Sequence, residues 1–279
     1  MCCTRREAHG VIEVADAAFY YDETQPLFRD VTLNVKKGET LAVLGVNGAG
    51  KTTFIKCLMG FLKLKSGYVR IDGARADAQG PSAFWKRVSY VPQAKYATFG
   101  FSVTDMVVMG LSPYIALGSA PKKEDYNKAR EMLGSLGLSA IADKPCTKIS
   151  GGQLQMVLIA RALIKKPQVL IMDEPESNLD MKNQMKVLEI IKWLNRQHLS
   201  IIINTHFPAH ALRVASQSLI IGNNEHIAGP TEHIVNEANL EKFFGVQSEI
   251  IRSGHKDGGA WGVVPFELAD PLKLEDLKL

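Results

Sequence analysis

The 279-residue chain has only four cysteines, Cys2, Cys3, Cys57 and Cys146, with no C-x-x-C pair and no metal-type spacing among them. That excludes a disulfide framework and a cysteine-held zinc, and suggests reduced thiols in a cytosolic protein. Adjacent Cys2 and Cys3 are open to acylation or metal binding, and read first as an untethered terminus. No uncharged apolar run reaches the ~18 residues of a membrane span. The nearest, Met106 to Pro121, contains Ser112, Pro113 and Pro121. Met1 to Gly10 is charged and lacks an apolar stretch, which argues against a secretory leader. Charge of one sign is also missing: 33 Lys+Arg against 29 Asp+Glu leaves +4, too little to argue for a nucleic-acid partner. There is no internal repeat or low-complexity tract. What is present is 46% apolar residues, enough core for one large domain or two small ones.

Val31-Thr32-Leu33-Asn34-Val35 alternates apolar and polar, as a half-buried strand does, and Lys37-Gly38 closes it. Val69-Arg70-Ile71 before Asp72-Gly73 is a second strand with its turn. Leu41 to Leu44, Val169 to Met172 and Ile201 to Ile203 are unbroken apolar runs, the pattern of parallel strands covered on both faces. Helical spacing relates Tyr126, Ala129, Leu133 and Leu136, and again Met181, Met185, Leu188, Ile191 and Leu194. Strands alternating with helices predict an α/β fold with a parallel sheet, interrupted by a helical insertion over about 94–160. The tail from Ser248 to Leu279 is rich in glycine and charge and receives no element.

Gly45-Val46-Asn47-Gly48-Ala49-Gly50-Lys51-Thr52 fits G-x-x-x-x-G-K-[ST], with a buried-type strand before it and a helical run from Thr53 after it. Glycines let successive backbone N–H groups converge on an anion, and the helix that follows offers its unpaired N–H groups and positive dipole end. Lys51 brings a point charge to the β/γ-phosphates of a nucleotide, and the Thr52 hydroxyl is a ligand for Mg²⁺. Such a loop needs a carboxylate at a neighbouring strand end, which Asp173 supplies. Glu174, one residue on, is placed to orient or deprotonate an attacking water.

Ile149-Ser150-Gly151-Gly152-Gln153, followed by a helical run, is physically a second phosphate site at a helix N-terminus. It resembles the L-S-G-G-Q signature of ATP-binding cassette (ABC) proteins, with Ile149 for leucine. The resemblance covers Gly10 to Gly245, taken as the ABC ATPase domain, and leaves 246–279 as a C-terminal extension of unknown role. It implies a P-loop NTPase ABC cassette: a mostly parallel core sheet, an antiparallel β-subdomain and a helical subdomain. Gln93 in Tyr90-Val91-Pro92-Gln93 is similar to the Q-loop, Asp180 in Ser177-Asn178-Leu179-Asp180 to the D-loop, and His206 after Thr205 to the switch histidine. Tyr21 matches the aromatic that stacks on adenine, with Tyr20 the neighbouring candidate and a strand aromatic in the β-subdomain core the structural alternative.

By that resemblance the chain hydrolyses ATP with Mg²⁺, as one of a pair of cassettes. Gly45, Asn47, Gly48, Ala49, Gly50, Lys51, Thr52 and Thr53 hold the phosphates; Thr52, Asp173 and Gln93 attend the metal. Glu174, His206 and Gln93 serve the attacking water and γ-phosphate. Ser150, Gly151, Gly152 and Gln153 meet the partner's nucleotide, and Asp180 couples the two sites. Four departures stand out: Val46 for proline, Leu154 and Met156 after the signature, Glu176 for Thr or Ser, and Phe207 for aspartate. Glu176 is expected to add negative charge close to the metal and water.

Phe101 to Gly110, with Pro113 beyond it, resembles the same segment in ATPases of importers for iron–siderophore, haem, cobalamin and metal oxyanions such as molybdate, although Leu111 stands for arginine. The alternative is that these residues simply pack the helical subdomain. The importer reading implies integral membrane permease subunits docked near Ala94 to Gly118, an extracytoplasmic binding protein, and a place on the cytoplasmic face of the membrane. The rivals are a soluble ABC ATPase acting on nucleic acid, against which stand a single cassette and the small net charge, and a non-hydrolytic regulator.

Overall fold

The computed structural model describes residues 11–22, 25–78, 80–94, 100–116, 118–222, 224–254 and 260–269. Cys2 and Cys3 lie outside these residues, and Cys57 and Cys146 are buried free thiols. Two antiparallel strands open the chain, β1 (Ile12–Asp22) and β2 (Gln25–Val35). Ile12, Val14, Val31 and Val35 turn inward from them, the alternation the pleat dictates. β3 (Thr40–Leu44) leads through the glycine loop into α1 (Lys51–Leu58). β4 (Ser66–Ile71) and β5 (Ala74–Arg75) return to the first sheet and complete the order β2-β1-β4-β5. Asp72 (φ 52°) and Gly73 (φ 75°) make the turn between them that the Asp-Gly pair predicts.

α2 (Pro81–Arg87) leads into β6 (Val88–Val91). The chain then passes through α3 (Val103–Val108), α4 (Lys123–Ser135) and α5 (Gly151–Leu163), with an isolated Ser102–Pro145 bridge between. β7 (Val169–Asp173), α6 (Met181–Arg196), β8 (Ser200–Asn204), α7 (Pro208–Val214) and β9 (Gln217–Gly222) follow. β10 (Glu225–Pro230), α8 (Thr231–Ile234) and α9 (Glu237–Phe244) come next. The second sheet runs β10-β9-β3-β8-β7-β6, parallel throughout except for the edge strand β10. The expected pair of sheets, one mostly parallel and one antiparallel, is what the chain forms.

The unbroken apolar runs have a direct cause in this sheet. Ala42, Leu44, Leu170, Met172, Ile201 and Ile203 face a core shared with α3, α4 and α5. Leu41, Val43, Val169, Ile171 and Ile202 face the opposite core, shared with α1 and the first sheet. Each is 0–1% exposed, so each Val, Leu, Ile and Met side chain here contributes about 1.5–3 kcal/mol on burial, and Ala42 less. Because the five parallel strands share one direction, their C-terminal ends form one rim, the place where such sheets bind ligands.

Two expectations need correction. Met181 is 81% exposed, since it follows the N-cap Asp180 at the tip of α6, and Val187 takes its place in the core. The tail is not featureless: β11 (Val246–Ser253) and β12 (Ala260–Leu268) form an antiparallel hairpin whose Ile250, Trp261 and Val263 pack on the main core. Residues 270–279 lie outside the described residues.

In the Phe101 to Gly110 segment, Ser102 and Asp105 form a reciprocal capping box at the start of α3. Val103, Val107 and Val108 are buried against α4 and α5, so packing accounts for these apolar positions. Gly110 lies against α5 so closely that a β-carbon there would sit 2.0 Å from the Arg161 carbonyl oxygen. Gly110→Ala is therefore expected to destabilise the fold by about 1–3 kcal/mol, because backbone must move to admit the methyl group. Urea unfolding of the variant measures it, and an unchanged midpoint would contradict this packing.

Candidate functional site

The glycine loop lies between β3 and α1 at the C-terminal rim. Gly45 holds φ 142°, and a β-carbon on it would fall 2.2 Å from the Ile221 carbonyl oxygen, so no other residue fits there. Lys51 is 5% exposed and lies back across its own loop, donating from Nζ to the carbonyls of Gly45 (2.8 Å) and Val46 (3.0 Å). Burial pushes its pKa down, while the nearby carboxylates of Glu174 and Asp173 pull it back up.

Those carboxylates sit at the end of β7, next to β8. Asp173 accepts from the Tyr90 hydroxyl (3.0 Å) and from the Asn204 side-chain amide. Burial and then Asp173 push the Tyr90 phenol well above its usual range, which keeps it a neutral donor. Glu174, at φ 46°, accepts at Oε2 from Gln93 Nε2 (3.2 Å) and Ser177 Oγ (3.0 Å). Its backbone N–H donates to the Asn204 carbonyl (2.9 Å). His206 Nδ1 stands 3.9 Å from Glu174 Oε2. A cavity of about 530 Å³ gathers Thr52, Tyr90, Gln93, Asp173 and Glu174 with Met106, Leu154 and Leu158. A larger one, about 1100 Å³, lies at the opposite end of the sheet beside Leu136, Trp193 and Leu199, away from this cluster.

Other expected residues lie outside that cavity. Tyr21 is 68% exposed and its hydroxyl reaches Thr53 Oγ1 at 3.3 Å, so a flat ring stands beside the loop. Tyr20 is half-buried, with Lys65 Nζ 5.1 Å from its ring centre. Ser150 and Gln153 form a reciprocal capping box at the start of α5: Gln153 N–H donates to Ser150 Oγ (3.2 Å), and Ser150 N–H donates to Gln153 Oε1 (3.0 Å). Ser150 and Gly151 face solvent, whereas Gly152 is buried against Asn183. Asp180 caps α6 through Asn183 N (2.7 Å) and is itself exposed.

Glu176 is not where its charge was expected. It is fully buried beneath the site, bonded to the Thr205 hydroxyl and facing His210 Nδ1 at 3.5 Å. The turn at Glu174 carries residue 176 under β8, away from the cavity. Sequence reasoning also passed over Asn204, Ser177 and Gln155. Gln155 is buried on α5 and accepts from Ala94 N–H (3.2 Å) just past Gln93. A polar residue closing the apolar run Ile201 to Ile203 was the available signal for Asn204.

Oxygen donors suit a hard cation: Thr52, Asp173 and Gln93 line one cavity, and Asn204 Oδ1, on the side chain bonded to Asp173, is buried without a hydrogen-bond partner. Among the described residues no cluster of three or more His, Cys, Asp or Glu forms a closed metal cage. Magnesium needs none, since it is held by one or two carboxylates plus substrate phosphates. The residues present therefore fit Mg²⁺ with a nucleotide.

Comparison with known proteins gives the same result as the geometry. Residues 28–177 match the ABC transporter family model. The molybdate import ATP-binding protein MolC of Haemophilus influenzae is 33% identical over 234 residues, 84% of this chain and 87% of that protein. An iron chelatin transport ATP-binding protein of Helicobacter pylori is 32% identical over 250 residues, 88% of this chain and 97% of that one. A solved metal-chelate type ABC transporter in an inward-facing conformation superposes with a TM-score of 0.81 at 31% identity, covering 92% of this chain and 97% of that one. The chain belongs to the ABC transporter family, as an ATP-binding subunit that hydrolyses ATP to drive transport.

Proposed function

We propose that this subunit powers the import of a metal-containing solute through a separate membrane permease, as one of two facing cassettes on the cytoplasmic side of the membrane. The observation that carries the mechanism is the meeting of Lys51, Thr52, Asp173, Glu174 and Gln93 at the rim of one parallel sheet. The loop from Gly45 to Thr53 receives the phosphates of ATP, with its backbone N–H groups and the α1 terminus facing the anion. Lys51 leaves the Gly45 and Val46 carbonyls for the β/γ-phosphate oxygens. Tyr21 stacks on the adenine. Thr52 and Asp173 would hold Mg²⁺ with Gln93 beside it, and the ion would neutralise phosphate charge there.

Glu174 takes the proton of the attacking water, and Gln93 and Ser177 hold its carboxylate while it does so. His206 contacts the γ-phosphate and steadies the same water. Ser150 to Gln153 act on the nucleotide of a second cassette: none of them lines this chain's own cavity, and Ser150, Gly151 and Gln153 are exposed at the start of α5. Asp180 and the exposed Met181 stand at the tip of α6, where a second copy would be reached, and Asp180 couples the two sites. Closure on ATP and reopening after hydrolysis reach the permease through Gln93 and the segment from Ala94 to Gly118, of which 95–99 and 117 lie outside the described residues. No helix among the described residues is long and apolar enough to cross a membrane, and in this reading the permease supplies the translocation path.

The metal-containing cargo rests on the molybdate and iron chelatin relatives. Uptake of labelled iron–siderophore, haem, cobalamin and molybdate, in cells carrying wild-type protein or Glu174→Gln, tests it. One of these is expected to fall to background in the variant. Unchanged uptake of all four would overturn the cargo class.

A further inference from the structure

Behind His206 lies a buried polar group that the hydrolytic mechanism does not use. Glu176 is 0% exposed, and its Oε1 accepts a hydrogen bond from the Thr205 hydroxyl. The same hydroxyl oxygen accepts the backbone N–H of Phe207 at 3.1 Å. Glu176 thus ties down both chain neighbours of His206 at once. The same Oε1 lies 3.5 Å from His210 Nδ1, and the Phe207 ring touches the rings of both His206 and His210. Its centre is 4.0 Å from that of His206 and 4.8 Å from that of His210.

Among the described residues no side-chain hydrogen bond holds the His206 ring at Nδ1, so its chain neighbours matter to its position. Its Nδ1 is buried with no hydrogen-bond partner, and Glu174 Oε2 at 3.9 Å is beyond hydrogen-bond reach. The ring's direction is therefore set by its tilted contact with the Phe207 ring and by the backbone on either side of it. Glu176 and Glu174 also share one short loop after β7, so this contact joins the strand end that carries the base to the strand end that carries the histidine.

We infer that Glu176 is a positioning residue for ATP hydrolysis, acting through Thr205 and Phe207 on the ring of His206. The inference rests on the reading of His206 as part of the hydrolytic site. Phe207 belongs to the same device: it transmits the position of the Thr205 anchor to the imidazole through the contact of its tilted ring. Glu176 touches neither nucleotide nor metal, so its loss leaves ATP binding intact and lowers the rate of the chemical step.

The experiment measures kcat, KM and ATP affinity of the full chain for Glu176→Ala, Glu176→Gln and Phe207→Leu, each with and without His206→Ala. Glu176→Ala and Phe207→Leu are expected to lower kcat about 30-fold with ATP affinity within about 2-fold, as a displaced reacting geometry does. Glu176→Gln keeps an acceptor for Thr205 and is expected to stay within about 3-fold of wild type. In the His206→Ala background the further loss should shrink to less than about 2-fold, since both changes act on one group. An equal loss in both backgrounds, or a fall in ATP affinity that matches the fall in kcat, overturns the inference. Should Glu176→Ala not fold, Phe207→Leu decides by the same criteria. If His206→Ala itself turns over like wild type, the assignment of His206 fails; if it is slow while Phe207→Leu and Glu176→Ala are not, the positioning role alone fails.

Discussion

Glu174→Gln is expected to reduce ATP turnover about 1,000-fold while ATP still binds, the size of effect that follows loss of a general base. The substitution keeps the shape of the side chain and removes only its ability to take a proton. Around it the structure changes little: Ser177 Oγ can still donate to the amide oxygen, as it does to Oε2 at 3.0 Å. Gln93 Nε2, now 3.2 Å from Oε2, can share the same oxygen. Lys51, Thr52 and Asp173 are untouched, so the phosphate and metal contacts remain. The variant should therefore collect in the ATP-bound state as a closed pair of cassettes. Phosphate release, ATP affinity and sedimentation on the purified protein measure these three consequences. Wild-type phosphate release by Glu174→Gln would remove Glu174 from the mechanism, because no substitution could leave a required base intact in that form.

How much of this site was legible in the sequence follows from which contacts are local. Gly45 to Thr52 is a contiguous loop whose proposed function draws on its own backbone and its own side chains, so its spacing and the strand before it suffice. Asp173 and Glu174 follow an apolar strand, and the run Val169 to Met172 marks where that strand ends. The adjacency of β7 and β8 is another matter. Asp173 is paired with Asn204 in the parallel register, and Asn204 both donates to Asp173 and accepts from Glu174 N–H. Strand order in a parallel sheet is set by the crossovers, and no local pattern encodes that these two ends touch. Glu176 shows the limit most clearly. Next to Asp173 and Glu174 in the chain, it reads as added charge at the metal, yet one positive-φ residue sends it into the interior to meet Thr205 and His210.

The fold was readable to a similar depth. Three apolar runs identify three buried strands because burial on both faces removes the polar alternation that other strands show. The β11–β12 hairpin escaped notice although the sequence carries an Asp257-Gly258 pair there, because Gly262 and Pro265 interrupt its second strand and the apolar Val264 and Phe266 on its exposed face blur the alternation. Met181 escaped for a different reason. Helical spacing says which positions share a stripe, but the end of the stripe is set by where neighbouring elements stop covering it.

Lys51→Ala should weaken ATP binding about 100-fold, since the ammonium supplies two charge-assisted hydrogen bonds worth roughly 1.5 kcal/mol or more each. The lysine is already placed for the exchange. Its Nζ is held by the Gly45 and Val46 carbonyls at 2.8 and 3.0 Å, inside the loop that takes the phosphates. Moving it to phosphate oxygens replaces two neutral acceptors by charged ones, which is favourable in a partly desolvated site. Removing it has a second cost. Burial lowers the Lys51 pKa, and Glu174 and Asp173 raise it back, so the same charge that meets ATP also balances these two carboxylates. Without it, an anionic nucleotide approaches two uncompensated anions. Lys51→Arg should not restore affinity, because a planar guanidinium is larger than the ammonium that fits across this loop. Fluorescent-nucleotide titration of both variants, with circular dichroism to verify folding, reads the effect. Equal ATP affinity in Lys51→Ala and wild type would mean that the loop holds phosphate through backbone N–H groups alone.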